Sequence, residues 1–287
     1  MKAVYRHELS SYFTGITGYI FSAFLLLFAG IYTMGICLSS GYANFEYVLG
    51  NMSFTFMIIV PVMTMRVISS ERRQKTDNLL YSLPLTMQDV VLGKYLAMIT
   101  VFALPVLIIG SYPLILRAYG NVSLGISFTA LLGFYLLGCA LLAVGMFISS
   151  LTESMAASAG ISFAVMLVNY FLVTISGMLS ASAASSFFAL TLFAILAAIL
   201  FWLMTKNSAW ASVFLGLCLA LLIVSFLFFP DGFKGLVPGI LENLSLFERF
   251  DNMLDGLLDL TTIMYFLSVS AIFTCLTVCS MDKRRWA

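Results

Sequence analysis

The densest group of side chains able to do polar chemistry lies between Arg66 and Lys94, in the stretch RVISSERRQKTDNLLYSLPLTMQDVVLGK. Nucleotide hydrolysis would need a glycine-rich loop whose backbone amides cradle phosphates, followed by Lys and then Ser or Thr. Gly93-Lys94 has neither the upstream Gly nor the following hydroxyl, so the chain does not hydrolyse ATP by that route. The single histidine, His7, lacks the second His of a helical zinc motif, and no Gly-x-Ser-x-Gly elbow occurs. A general base needs positioned partners, and His7 reads instead as a polar residue at an interface. Cys275 and Cys279 share a helix face at i,i+4 with only Asp282 as a local acid, which makes a poor metal site. All five cysteines lie in apolar stretches and read as small hydrophobes, and the 16 methionines are scattered as packing residues. No catalytic residue, metal or cofactor is expected on this chain.

The elements that position the 66–94 cluster follow from composition. Of 287 residues, 62% are apolar or aromatic and 9% are charged, against roughly 25% charged in soluble domains. So few charges cannot cover a soluble particle, so the solvent is mostly lipid. A net charge of +1 without long basic runs excludes nucleic acid as the main partner. Apolar runs long enough to cross a bilayer as helices occur eight times: Gly18 to Leu38, Tyr47 to Met65, Tyr95 to Leu116, Ile126 to Ile148, Met155 to Gly177, Phe187 to Thr205, Ala209 to Phe229 and Thr261 to Met281. No charge separates the fifth from the sixth, and their division rests on the small polar cluster Ser180 to Ser186. Residues 1–16, with Lys2, Arg6 and Glu8 among Tyr5, Tyr12 and Phe13, have the pattern of an interfacial helix. With both termini in the cytoplasm, eleven Lys and Arg fall inside and only Arg117, Lys234 and Arg249 outside, as the retention of basic loops requires.

Within the spans the polar residues are neutral. Thr55 and Thr64 in the second and Asn169 in the fifth can contact a substrate or hydrogen-bond a neighbouring helix. No ionisable residue lies near the centre of a span, which weakens a proton- or sodium-coupled mechanism. Pro61 is expected to kink the second span, and Pro105 and Pro113 the third.

Two loops are long enough to carry structure. The inner segment 66–94 contains the amphipathic piece Leu79-Leu80-Tyr81 ringed by charges, then Pro84 and a helix start near Asp89. A short apolar helix so placed suits a groove on a soluble partner, and a solvated turn is the plainer alternative. In the outer segment 230–260, Ile240, Leu244, Phe247, Leu254 and Leu257 recur at helical spacing after Pro238, while Glu248, Asp251, Asp255 and Asp259 line another face. Such an acidic face is ordinarily solvated.

Glu71, Arg72, Arg73, Lys75, Thr76, Leu79, Leu80, Pro84, Leu92, Gly93 and Lys94 resemble the loop between the second and third membrane helices of ABC-2 type ABC transporter permeases, in the branch that includes the gliding-motility permease GldF and the NosY permease. Many relatives have Gly at the position of Lys75 and Glu at that of Asn78. The opening Glu8 to Phe13 with Gly18-Tyr19-Ile20 is similar to the family's N-terminal interfacial helix and first span. Ser245 to Phe250, Gly256, Asp259-Leu260 and Lys283 to Trp286 are similar to its last outer segment, last span and basic tail.

The resemblance implies an all-α integral membrane protein. Residues 1–287 would form one permease domain of about eight transmembrane helices, with an interfacial helix over 1–16, a cytoplasmic coupling helix within 66–94, and short helices over 230–260 capping the outer end of the path. It implies a plasma- or inner-membrane permease, paired with a second permease copy or homologue and with two ABC ATPase subunits that carry ATP and Mg. Glu71, Arg72, Arg73, Thr76, Leu79, Leu80, Pro84, Gly93 and Lys94 would couple to the ATPases, and export is the expected direction. The alternatives are a scaffold or signalling subunit that docks an ATPase but moves no cargo, and an ion-coupled secondary transporter.

Overall fold

A computed structural model describes residues 1–41, 44–74, 86–178, 230–285 and scattered positions between 182 and 226. Every regular element among the described residues is helical. They are α1 (Lys2–Thr14), α2 (Thr17–Thr33) continued by a π turn (Met34–Ser39), α3 (Phe45–Met52), a 3-10 turn (Ser53–Thr55), α4 (Phe56–Thr64), α5 (Ser69–Arg73), α6 (Met87–Ile109), α7 (Tyr112–Arg117), α8 (Leu124–Leu151) and α9 (Met155–Met178). After a 3-10 turn (Pro230–Phe233) come α10 (Leu236–Leu244), α11 (Leu246–Leu254) and α12 (Leu260–Arg285).

Six helical stretches are long and apolar enough to cross a membrane: Thr17–Ser39, Phe45–Arg73, Met87–Arg117, Leu124–Leu151, Met155–Met178 and Leu260–Lys283. They overlap the first five and the last of the expected spans, but the second runs on to Arg73 instead of ending at Met65 and the third starts at Met87 instead of Tyr95, which brings Lys94 inside a helix. The sixth and seventh, Phe187 to Thr205 and Ala209 to Phe229, and the division at Ser180 to Ser186, fall for the most part outside the described residues.

The described chain divides into two compact units, residues 1–170 with 249–287, and residues 171–248. In the first, α8 is the central post: α12 lies along it, and α3, α4, α6 and α7 pack on it as well. Its sequence explains this. The twenty-eight residues carry no charge, and 72% of the most apolar stretch is buried, although Phe128, Leu132 and Leu151 remain exposed. Close approach is set at Gly145 of α8, where an added Cβ would lie 2.5 Å from Thr64 Oγ1. Around Phe134 the rings of Phe56, Phe102 and Phe250 converge, with centroids 4.5, 6.3 and 6.2 Å away. Hydroxyls inside the apolar helices bond back to their own turns: Thr64, Ser270 and Thr277 each donate to the carbonyl four residues earlier. That satisfies them where no water reaches.

The prolines act differently from one another. Pro61 and Pro105 lie inside α4 and α6 without ending either helix, whereas Pro113 opens α7 after a break at Gly110-Ser111. A proline needs no amide bond in the first turn of a helix, which makes that position its natural one.

The 230–260 segment does not form one long helix. It breaks at Ser245, whose backbone is extended (φ −70°, ψ 120°) and whose Oγ accepts the Glu248 amide at 3.2 Å. A serine at a helix start competes well with continuation of the preceding helix, and apolar periodicity alone does not register it. Asp255 then falls in a turn, and Asp259 precedes α12 and accepts the Thr261 amide at 3.0 Å. The expected acidic stripe is thereby divided among a helix, a turn and a cap. In the second unit, Ser176 donates to Glu242 at 3.1 Å, and Phe226 meets Phe187 at a tilt and Phe233 edge-on.

Candidate functional site

The two feet of the 66–94 segment meet at Lys94. This lysine stands two turns inside α6, is 2% exposed, and places Nζ 2.7 Å from Glu8 Oε1, 2.5 Å from Glu71 Oε1 and 3.2 Å from the Val67 carbonyl. Three charge-assisted bonds use the three donors of an ammonium group. They also explain how a cation is tolerated in an apolar helix, because a buried charge is held only with partners that replace water. Glu71 comes from the entry foot, Lys94 from the exit foot and Glu8 from α1. One ion cluster therefore joins three separate elements.

Each element is built to deliver its group. α1 lies across α6 at Gly93, where an added Cβ would come within 3.0 Å of the Val4 side chain and 3.3 Å of the Tyr5 amide nitrogen. Gly93 lets the helices touch, and the next residue then reaches Glu8. Tyr5 adds a hydroxyl contact to Thr100, 3.1 Å away. α5 begins against the end of α8, where Ser149 Oγ accepts the amides of Ile68 and Ser69 at 3.3 and 3.2 Å, both fully out of solvent. α6 begins with Thr86, whose Oγ1 accepts the Asp89 amide at 3.3 Å and donates to Asp89 Oδ2 at 2.9 Å. This is a reciprocal cap with an acid favourably placed in the first turn.

Beside the cluster is a polar cavity of about 300 Å³ lined in part by Glu8, Tyr12, Arg66, Glu71 and Lys94. Burial, with Glu8 and Glu71 close by, pushes the Tyr12 phenol well above its ordinary range, so it stays a neutral hydroxyl. The arrangement holds no nucleophile with an adjacent base. Its chemistry is mechanical, fixing the spacing of α1, α5 and α6.

The other expected site residues are distributed unevenly. Arg72 is buried and Arg73 exposed, so the neighbouring guanidinium groups face different surroundings. Thr76, Leu79, Leu80 and Pro84 lie outside the described residues. Thr55 and Thr64 are both buried in the first unit, 2% and 0% exposed, Thr64 against Gly145. Asn169 is half-buried on α9. None of these three belongs to the Lys94 cluster. Sequence reasoning did not assign a partner to Lys94, nor a role to Ser149 or to Glu46, a residue of α3 that is 7% exposed with one carboxylate oxygen unpartnered among the described residues. The usable signal is the apolar sequence on both sides of Lys94, Val90-Val91-Leu92 before it and Tyr95-Leu96-Ala97 after, because a cation carried into a helix demands an anion at the same depth.

Residues 38–249 match the family described as ABC-2 family transporter protein. No curated protein matches the chain.

Proposed function

The chain belongs to the ABC-2 family of transporter membrane proteins, and from that membership we propose that it is the permease half of an exporter driven by two separate ABC ATPase subunits, within the GldF- and NosY-like branch. As a multi-pass membrane subunit of such a transporter it contributes geometry rather than catalysis. In the proposed complex, ATP and Mg reside on the partner ATPases, and two permease copies, or this chain and a homologue, enclose the path. Both termini and the 66–94 segment face the cytoplasm of a cell membrane. Closure of the ATPases on ATP pushes the segment, and the attached helices shift the path between inward-open and outward-open states.

The observation that best supports this coupling is the Lys94 cluster. A loop that transmits a push must have feet that move with their helices instead of yielding, and Glu8, Glu71 and Lys94 bind both feet to α1. The docking surface of the segment is assigned to Leu79 and Leu80, with Arg72, Arg73, Thr76 and Pro84 shaping it. Replacing both leucines with Asp is expected to abolish co-purification of the ATPase while leaving the chain in the membrane. Undiminished association would refute the assignment. ATP-driven movement of cargo into inverted vesicles tests the direction, since uptake only in right-side-out vesicles would make the protein an importer.

A further inference from the structure

An apolar groove of about 170 Å³ runs between α2 and α4, walled by Ile20, Phe24, Ile58 and Val62, and closes at one end on Thr17 and Arg66. Ile20, Ile58 and Val62 are exposed along it, so none of the described residues fills it. In a membrane-spanning pair of helices, such a slot faces acyl chains.

Its closed end has the opposite character. Arg66 is exposed, and its Nη1 lies 3.4 Å from Thr17 Oγ1. Among the described residues no carboxylate forms an ion pair with it, and the nearby Glu8 and Glu71 are bonded to Lys94. The groove shares Thr17, Met63 and Arg66 with the polar cavity described above, where Ser11, Ser70 and Gln74 add further polar groups. An apolar slot thus abuts a polar chamber, with an exposed guanidinium lining both. Guanidinium groups recognise phosphate by paired hydrogen bonds, and basic pockets between membrane helices near the water boundary take anionic headgroups.

We propose that this groove is a binding site for an anionic phospholipid of the leaflet at the Arg66 end, with an acyl chain between α2 and α4 and the phosphate on Arg66 and Thr17. The site depends on neither the direction of transport nor the docking of an ATPase. It supplies a resident lipid to a seam that borders the Lys94 cluster.

The test uses the full chain in its complex, reconstituted in phosphatidylcholine vesicles with a trace of phosphatidylglycerol carrying a photoactivatable acyl chain. Labelling is expected on Ile20, Phe24, Ile58 and Val62, about fivefold stronger than from matched photoactivatable phosphatidylcholine, as one basic residue at a membrane surface provides. Arg66→Gln brings the two lipids level, while Arg66→Lys keeps most of the preference. Ile58→Trp, at the exposed edge of the groove, blocks labelling with Arg66 intact, and unchanged thermal unfolding of each variant shows that the fold survives. Equal labelling by both lipids in the unmodified protein overturns the proposal, as does a preference that persists in Arg66→Gln. Competition by water-soluble glycerophosphate would assign the site to free phosphate and overturn it. Absence of label together with a disulfide between Ile20→Cys residues of two copies would show a second permease in the groove, with the same consequence.

Discussion

At Lys94 the balance of desolvation against pairing decides what substitutions do. Removing one partner of a buried ion cluster leaves charge uncompensated and ordinarily costs about 3–5 kcal/mol. The two carboxylates here keep 19% and 22% exposure against 2% for the lysine, so water can serve them and cannot serve Lys94. Glu8→Gln and Glu71→Gln are therefore each expected to cost less than that range, and the double variant more than the sum of the two, by on the order of 1 kcal/mol of coupling. Denaturant titration in detergent micelles measures all three, and simple additivity would show that the carboxylates act independently. Gly93→Leu is expected to displace α1, since even a Cβ presses on Val4 and the Tyr5 backbone. Faster proteolysis within residues 2–14 of that variant reports the displacement. The sequence contains the lysine and both acids, but their meeting spans separations of 86 and 23 residues, and no local pattern encodes which of the chain's 13 acids would come to it.

The helices themselves were largely legible, because length and apolarity decide a membrane span with little competition from other signals. Their breaks were less so. The stop at Ser245 depends on a capping bond to the Glu248 amide, a local preference worth about 1 kcal/mol that an apolar pattern overrides on paper but not in the folded chain. The start of α6 at Thr86 uses the same device, and Thr86→Ala is expected to cost about 1 kcal/mol in unfolding measurements, with Thr86→Ser nearly neutral. The α4–α8 contact makes a sharper forecast. Gly145→Ala drives a methyl into Thr64 Oγ1 and Cγ2 and should lower thermal stability by the amount typical of an overpacked core, about 1–3 kcal/mol. Adding Thr64→Ala removes those two atoms and should recover part of the loss, whereas equal melting of the single and double variants would mean that the helices separate freely there.

For the whole molecule, the proposed orientation rests on few charges. Cysteines placed at Lys75 and Asp255 are expected to react with a membrane-impermeant reagent from opposite faces of intact cells and inverted vesicles, and reaction of both from one face would refute the proposed topology. The family was legible because its motifs are local and ordered along the chain, and the match covers residues 38–249. The cargo was not, since Thr55, Thr64 and Asn169 are neutral groups of a kind that also glues helices together. The Lys94 cluster also bears on how the protein is made. A lysine entering the bilayer undressed is costly, but synthesis runs from Glu8 through Glu71 to Lys94, so both anions leave the ribosome before the cation does. The third span can then be released into lipid already neutralised, and a variant with Glu8 and Glu71 both removed would hand the insertion machinery a charged helix with nothing waiting for it.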